Sequence, residues 1–126
     1  MTLPAGADLL APDGSEVRVL LSLAAGSMAH FRLAAAQVSR AVRHRSVEEI
    51  WYVLSGAGDL WRSHGGREEV FALSPGVCLT IPVGVRFQFR AADGGPLAVV
   101  AVTMPPWPGD SEAEAVAGKW PPTVDG

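Results

Sequence analysis

The chain has 126 residues, of which 48% are hydrophobic and 18% are charged, and its formal net charge is −3. This length fits one domain, the composition excludes a disordered chain, and the acidic balance excludes the basic surface that a nucleic-acid partner requires. No apolar run is long enough to cross a membrane and the N-terminus lacks the basic start of a signal peptide, so we expect a cytoplasmic protein without nucleic-acid or membrane partners.

Apolar residues come in short runs that end at glycine, proline or aspartate, and no window sustains the 3.6-residue period of a long amphipathic helix. This pattern predicts nine or ten short strands. In chain order the clearest of them cover residues 16–23, 28–33, 37–44, 49–54, 60–62, 69–73, 77–81, 85–90 and 97–104. Strands at this spacing indicate an all-β fold, an antiparallel sandwich or barrel, because closure or a jelly roll protects the sheet edges.

The end of the chain has a different composition, with five prolines and two tryptophans among residues 105–126. It shows no strand period. Proline-fixed backbone together with Trp107 and Trp120 predicts an extended arm that lies over the protein's own barrel or over a partner subunit. We therefore divide the chain into a barrel domain, residues 1–104, and a C-terminal arm, residues 105–126.

The chain contains one cysteine, Cys78, within an apolar run. We expect its thiol to be buried and inert, because a free cysteine behaves as a small apolar side chain and is usually buried. A single cysteine has no partner for an internal disulfide, which favours a reducing compartment such as the cytoplasm.

Two glycine-containing stretches have a distinctive spacing. In the first, four residues separate His44 from Glu49 and six separate Glu49 from Gly56; in the second, a proline and Gly84 follow Gly76. These stretches resemble the two motifs of the cupin superfamily, in the same order and at a matching separation. The resemblance covers roughly residues 28–104 and implies a single-domain cupin, an antiparallel β-barrel of the jelly-roll or double-stranded β-helix type.

The resemblance also implies a site in which three imidazoles and a carboxylate bind one divalent metal ion. His44 and Glu49 occupy two of these ligand positions, whereas Val42 and Phe87 stand where two of the histidines belong. We expect such an incomplete set to hold a metal poorly and leave the cofactor open, with a bound divalent metal the less expected outcome. The side chains elsewhere that could complete the set are His30, Gln37 and Gln88.

Alternation along a strand places residues i and i+2 on one face, so Val42 and His44 on one predicted strand should point into the barrel, as should Glu49 and Trp51 on the next. The same parity predicts that His44 and Glu49 share a pocket with an apolar lining of Val42, Trp51 and Phe87. Arg40 has this parity too. It lies either at the barrel mouth, where its guanidinium would bind a carboxylate or phosphate of the substrate, or on the surface.

Three functions are consistent with this pocket. The first is an enzyme acting on a small molecule, an isomerase, cyclase, lyase or oxygenase, in which His44 shuttles a proton near neutral pH with Glu49 as its partner, or both are remnants of a metal centre. The second is a metal-free module that binds a small molecule without turnover. The third is a structural or regulatory protein, favoured if Val42 and Phe87 fill the barrel.

The expected partners are a small-molecule ligand and a second copy of the chain. Homodimerisation is implied by the resemblance. It also suits Ile50, Tyr52 and Leu54, which have outward parity on one predicted strand and form an apolar row that a monomer would leave in water.

Overall fold

The computed structural model describes residues 1–124, apart from the side chain of Leu9, and consists almost entirely of strands. In chain order the strands are β1 (Leu9–Leu10), β2 (Glu16–Leu23), β3 (Gly26–Leu33), β4 (Val42–His44), β5 (Glu48–Ser55), β6 (Gly58–His64), β7 (Arg67–Leu73), β8 (Cys78–Ile81), β9 (Arg86–Ala91), β10 (Leu97–Met104) and β11 (Ala113–Ala115). A short 3-10 helix, Asp110–Glu112, precedes β11. No helix within the described part of the chain is long and apolar enough to cross a membrane.

The strands form two sheets in which the paired strands are antiparallel. The first has the order β1-β2-β3-β10-β5-β8, and the second has the order β11-β4-β9-β6-β7. The hydrophobic core takes side chains from both, including Val53 and Val99 from the first sheet and Leu60 and Phe89 from the second. The predicted all-β jelly-roll fold is confirmed, although the two sheets do not join into a closed barrel.

Alternation of side chains explains why the core lies between the sheets. On β5, Glu49, Trp51 and Val53 are buried while the residues between them are exposed. Phe87 and Phe89 on β9 are buried as well, and the ring of Phe89 meets that of Trp51 edge to face at 5.0 Å. The inward parity predicted for β5 and β9 is therefore confirmed.

The strand predicted over residues 37–44 is shorter than expected. Only its last three residues form β4, and Val38 makes a single bridge to Arg90. Between them, the backbone N–H of Ser39 donates to a carbonyl of β9 and that of Arg40 donates to the carbonyl of Asp13. The chain enters the second sheet late because part of this segment bonds to a loop rather than to a strand.

The C-terminal tail packs on the protein's own sheets and contributes a strand. β11 pairs with β4 and so covers an edge of the second sheet, which the expectation of a tail without strands missed. Further along, the side-chain amide of Gln88 donates to the carbonyl of Trp120 at 2.7 Å and accepts from its N–H at 3.0 Å. The last two residues of the predicted arm, 125–126, lie outside the described residues, and the division of the chain at residue 104 stays a prediction.

Cys78 is exposed, and the expectation of a buried thiol is wrong. The physical reason is the parity of β8. Leu79 and Ile81 point into the core, so alternation turns Cys78 and Thr80 outward. The apolar neighbours of a residue in sequence do not bury it when they lie on the other face of the strand.

We predict that Gly56 is needed for stability and that Gly76 is a matched control. Both have positive φ, 84° and 92°, but a Cβ at Gly56 would come within 2.1 Å of the Pro96 carbonyl oxygen, whereas a Cβ at Gly76 meets nothing within 4 Å. Gly76→Ala should lower the free energy of unfolding in urea by about 1–2 kcal/mol from backbone strain alone, and Gly56→Ala by roughly 3 kcal/mol or more. Equal losses would contradict this assignment.

Candidate functional site

A cavity of about 250 Å³ lies between the two sheets. Its wall takes residues from β2, β3, β5 and β10 of the first sheet and from β4 and β9 of the second, together with the loop of residues 11–13 and the tail. The volume corresponds to about eight water molecules, smaller than the sites of drug-sized ligands, and therefore suits a compact molecule. Val42 and Phe87 line this cavity without filling it, so the condition that favoured a purely structural protein is not met.

Aromatic rings surround the imidazole of His44. Phe87 and Trp107 each place a ring centroid 5.2 Å from it, both in edge-on geometry. Trp51 stands edge-on to Phe87 at 5.9 Å and stacks on Phe31 at 6.2 Å. His44 thus lies between an aromatic side chain of the barrel and one contributed by the tail.

The structure brings His44 and Glu49 together, as their parity predicts. Nδ1 of His44 is 3.6 Å from Oε2 of Glu49, and the two side chains are only 4% and 3% exposed. This Nδ1 has no hydrogen-bond partner among the described residues, while Oε1 of Glu49 accepts from the indole N–H of Trp51 at 2.7 Å. Because 3.6 Å is too long for a direct hydrogen bond, an atom of a ligand or a water molecule that lies beside the pair, at about 2.8 Å from each, could bond to both groups.

The short loop that joins β4 to β5 sets the spacing of this pair, and the tail holds that loop in place. The carboxylate of Glu112 accepts hydrogen bonds from the backbone N–H and hydroxyl of Ser46 and, at 2.7 Å, from the N–H of Val47. These bonds keep the pKa of Glu112 below its usual value despite the opposing effect of burial. An ionised carboxylate that accepts three hydrogen bonds is a strong anchor for the loop.

Burial in this apolar cavity shifts both ionisable groups toward their neutral forms. It raises the pKa of Glu49 to about 7; the Trp51 hydrogen bond opposes the rise and the charge of Asp13 adds to it. It lowers the pKa of His44 to about 4, against the opposing charge of Glu112. The expectation that His44 titrates near neutral pH is therefore wrong, and Glu49 is the group that does so.

Asp13, a residue that no sequence motif contains, lies in the same cavity wall and is buried. Its Oδ1 accepts hydrogen bonds from the backbone N–H of Ser15 at 2.9 Å and from the Ser15 hydroxyl at 2.6 Å. Burial raises the pKa of Asp13, and these bonds and the charge of Arg40 oppose the rise. No signal in the sequence distinguishes this residue from an ordinary turn aspartate, because only the tertiary fold carries its loop over the cavity.

Arg40 does not belong to the cavity wall. Its guanidinium donates from Nη1 to the carbonyl of Pro12 at 3.0 Å, and its backbone N–H donates to the carbonyl of Asp13 at 2.8 Å. The structure thus places Arg40 against the loop that carries Asp13 and outside the cavity wall.

The donor set of this cavity does not fit a divalent metal. Val42 and Phe87 present only carbon atoms at two of the four positions that the cupin motif gives to ligands. Within residues 1–124, no group of three or more His, Cys, Asp or Glu side chains is arranged to hold a metal ion. One imidazole and one carboxylate are fewer protein ligands than such sites use.

None of the additional ligands suggested by the sequence faces the cavity. Ala29 and Phe31 line it, whereas His30 between them is not part of its wall. The amide of Gln88 holds the tail, and Oε1 of Gln37 accepts from the backbone N–H of Ala34 at 2.8 Å.

Comparison with known proteins agrees with this fold. A family model described as the cupin domain matches residues 29–103. No curated protein matches the chain in sequence.

Among solved structures, KdgF from Halomonas sp. is 18% identical, with 73% of this chain and 81% of that chain covered and a TM-score of 0.64. A PAC13 variant from Streptomyces, solved with uridine, is 14% identical, with 83% and 80% covered and a TM-score of 0.65. Oxalate decarboxylase from Bacillus subtilis is 15% identical, with 86% and 29% covered and a TM-score of 0.74. At these identities the likeness establishes the fold alone.

The opposite pKa shifts of Glu49 and His44 predict opposite pH dependences of stability. Because the pKa of Glu49 is raised on folding, the stabilisation that this group adds to the free energy of unfolding is full below 4.5, its pKa in the unfolded chain. It is lost as the pH rises to about 7. Because the pKa of His44 is lowered on folding, the stabilisation that this group adds is full above 6.5, its pKa in the unfolded chain. It is lost as the pH falls to about 4. In the wild type the two slopes cancel between pH 4.5 and 6.5.

Single substitutions should expose each slope. Relative to the wild type, the free energy of unfolding of Glu49→Gln should rise by about 3 kcal/mol between pH 4.5 and 6.5, and that of His44→Gln should fall by about as much. Urea denaturation at the two pH values measures both changes. Parallel pH profiles for all three proteins would show that the two side chains titrate at ordinary values.

Proposed function

The chain belongs to the cupin family, and we propose that it is a metal-free enzyme that transfers protons on a small organic molecule, in an isomerase, cyclase or lyase reaction. One observation carries the proposal: a buried imidazole and a buried carboxyl group face each other across 3.6 Å in an apolar cavity, with Nδ1 of the imidazole unpaired. Burying two ionisable groups without a hydrogen bond between them lowers the free energy of unfolding, and a ligand that bonds to both would offset that cost.

Glu49 is the general base in this proposal. General acid–base catalysis is most effective when the pKa of the group lies near the working pH, and burial raises the pKa of Glu49 to about 7. Its carboxylate would take a proton from a C–H bond next to a carbonyl group. The proton then returns to another position of the substrate in an isomerisation, or the electron pair of the broken bond expels a leaving group in an elimination.

His44 is the group that orients the substrate. Because its imidazole is neutral at pH 7, it neither repels a cation nor needs a counter-ion. In the tautomer that carries hydrogen on Nδ1, it would donate a hydrogen bond to the substrate oxygen on which negative charge develops. The enclosing rings of Phe87 and Trp107 exclude water, which strengthens this bond.

The alternative is a cupin that binds a small molecule without turning it over. The observation that favours it is the position of Trp107, whose ring lies against His44 and whose backbone N–H donates to the Ser27 hydroxyl at 3.0 Å. A tail fixed in this way suits the retention of a ligand. Binding would raise the melting temperature with no product formed.

We predict that the protein catalyses hydrogen exchange on a suitable carbonyl compound. A panel of compact ketones and aldehydes, with and without an amino group, is incubated with the protein in D₂O, and proton NMR follows the loss of C–H signals. Glu49→Gln should lower the exchange rate roughly a hundredfold or more, because the base is removed, and His44→Ala should lower it as well. Cys78→Ser, which changes an exposed side chain outside the cavity, should keep the wild-type rate.

Two results would contradict the proposal. Compounds of the panel that stabilise the protein but never exchange would assign it to the binding alternative. Metal analysis of the same protein, purified without chelator or affinity-column metal, tests whether the site is free of metal. Near-stoichiometric metal in the wild type that is lost in both His44→Ala and Glu49→Gln would contradict a metal-free site.

We also propose that the protein is a homodimer in the reducing cytoplasm. On the outer face of the first sheet, Ile50, Tyr52 and Leu54 are 48%, 49% and 43% exposed, an apolar row that a second copy would cover. Cys78 lies beside Tyr52 on the neighbouring strand, and its lone exposed thiol stays reduced in that compartment.

Light scattering should give about twice the 13.2 kDa mass of one chain. Ile50→Asp should convert the protein to monomers, because a charge in an apolar interface is not solvated. Val70→Asp is the matched control, since Val70 is 49% exposed on the second sheet. A wild-type monomer, or dissociation by Val70→Asp alone, would contradict the proposed interface.

A further inference from the structure

The charged side chains in the cavity wall are all acidic. Asp13, Glu49 and Asp110 line it, whereas no arginine or lysine of residues 1–124 does so. Asp13 and Glu49 are buried, and the third, Asp110, is exposed at the rim formed by the tail. The cavity therefore offers an anionic ligand no basic partner.

The two buried carboxyl groups lack a cation inside the cavity. Burial raises the pKa of both, and the charge of Asp13 raises that of Glu49 further. The hydrogen bonds of Ser15 and Trp51 satisfy one oxygen of each, and Arg40 acts on Asp13 from behind the loop. A positive ligand group placed between the carboxylates would offset the cost of their burial.

The rest of the wall suits the apolar part of such a ligand. Trp51, Phe87 and Phe31 present aromatic surface within the same cavity, and an organic cation is attracted to aromatic faces. The volume of about 250 Å³ restricts the ligand to one ring or a short chain.

We propose that the cavity binds a small organic ammonium ion, with its charged nitrogen beside the carboxylates of Asp13 and Glu49 and its apolar body against Trp51 and Phe87. This inference rests on the proposed function because it names the substrate class of the same site. A bound ammonium would hold Glu49 as the carboxylate, which is the form that abstracts a proton.

Three probes of one shape and different charge test the proposal by calorimetry: benzylamine, benzyl alcohol and benzoate. At pH 8, above the pKa of about 7 to which burial raises Glu49, its carboxylate is mostly ionised. Benzylamine should bind at least tenfold more tightly than benzyl alcohol, and benzoate should bind least. Equal or tighter binding of the alcohol or of benzoate overturns the proposal, as does absence of benzylamine binding up to roughly 10 mM.

Variants assign the effect to the two carboxylates. Glu49→Gln and Asp13→Asn should each weaken benzylamine binding about tenfold and leave benzyl alcohol unchanged, since they remove charge and keep shape. Because Asp13→Asn also alters the Ser15 turn, the nearly isosteric Glu49→Gln keeps the test independent of folding. Asp93→Asn, which removes the same charge on an exposed loop outside the cavity, should change neither. Equal weakening of both probes overturns the assignment.

The hydrogen-exchange assay separates this inference from the proposed function. Tight benzylamine binding without exchange on any ketone would support the ammonium site and contradict the proposed enzyme. Exchange on neutral ketones with no preference for benzylamine would support the enzyme and contradict the ammonium site.

Discussion

The burial of the Glu49 carboxyl group is the constraint on which the rest of the site depends. A carboxylate that is 3% exposed has lost its hydration, and neither its neighbour His44 nor the cavity wall supplies a positive charge. The protein compensates with one hydrogen bond, from the indole of Trp51, and with a shift of the pKa toward the neutral form. The chemistry available to the site follows from that incomplete compensation.

The C-terminal tail is part of this arrangement and not an appendage. Trp107 shields one side of His44, and Glu112 bonds the loop that connects His44 to Glu49. Gln88 and Arg90, both on β9, hold Trp120 by hydrogen bonds and by a guanidinium 4.1 Å from the centre of its ring. Displacement of the tail would therefore expose the imidazole and remove the hydrogen bonds that hold the loop.

Sequence alone was sufficient where a side chain's position follows from strand parity. The inward positions of His44, Glu49 and Phe87 are of this kind. The family was also predictable, because its motifs are defined by residue spacing. Sequence was insufficient where tertiary contacts determine the position of a side chain. Arg40 has inward parity by counting, but its backbone bonds to the loop of Asp13 rather than to a strand, so counting does not apply.

The pKa shifts and Asp13 illustrate the same limit. Reference values place the titration of histidine near neutral pH, and only the degree of burial reverses the order of His44 and Glu49. Parity predicts that both are inside. Parity does not predict how far the cavity excludes water or which loop covers it, because both depend on packing between segments far apart in the chain.

The side chains at the two altered motif positions explain the character of the site. With imidazoles in place of Val42 and Phe87, a cation could bind beside Glu49 and would hold it as an unprotonated ligand. Valine and phenylalanine remove those donors and make the surroundings drier, and both effects raise the pKa of the remaining carboxyl group. The position that binds a metal in the motif then carries a carboxyl group whose pKa burial raises to about 7. The proposed ammonium ligand would supply the positive charge that the cavity wall lacks.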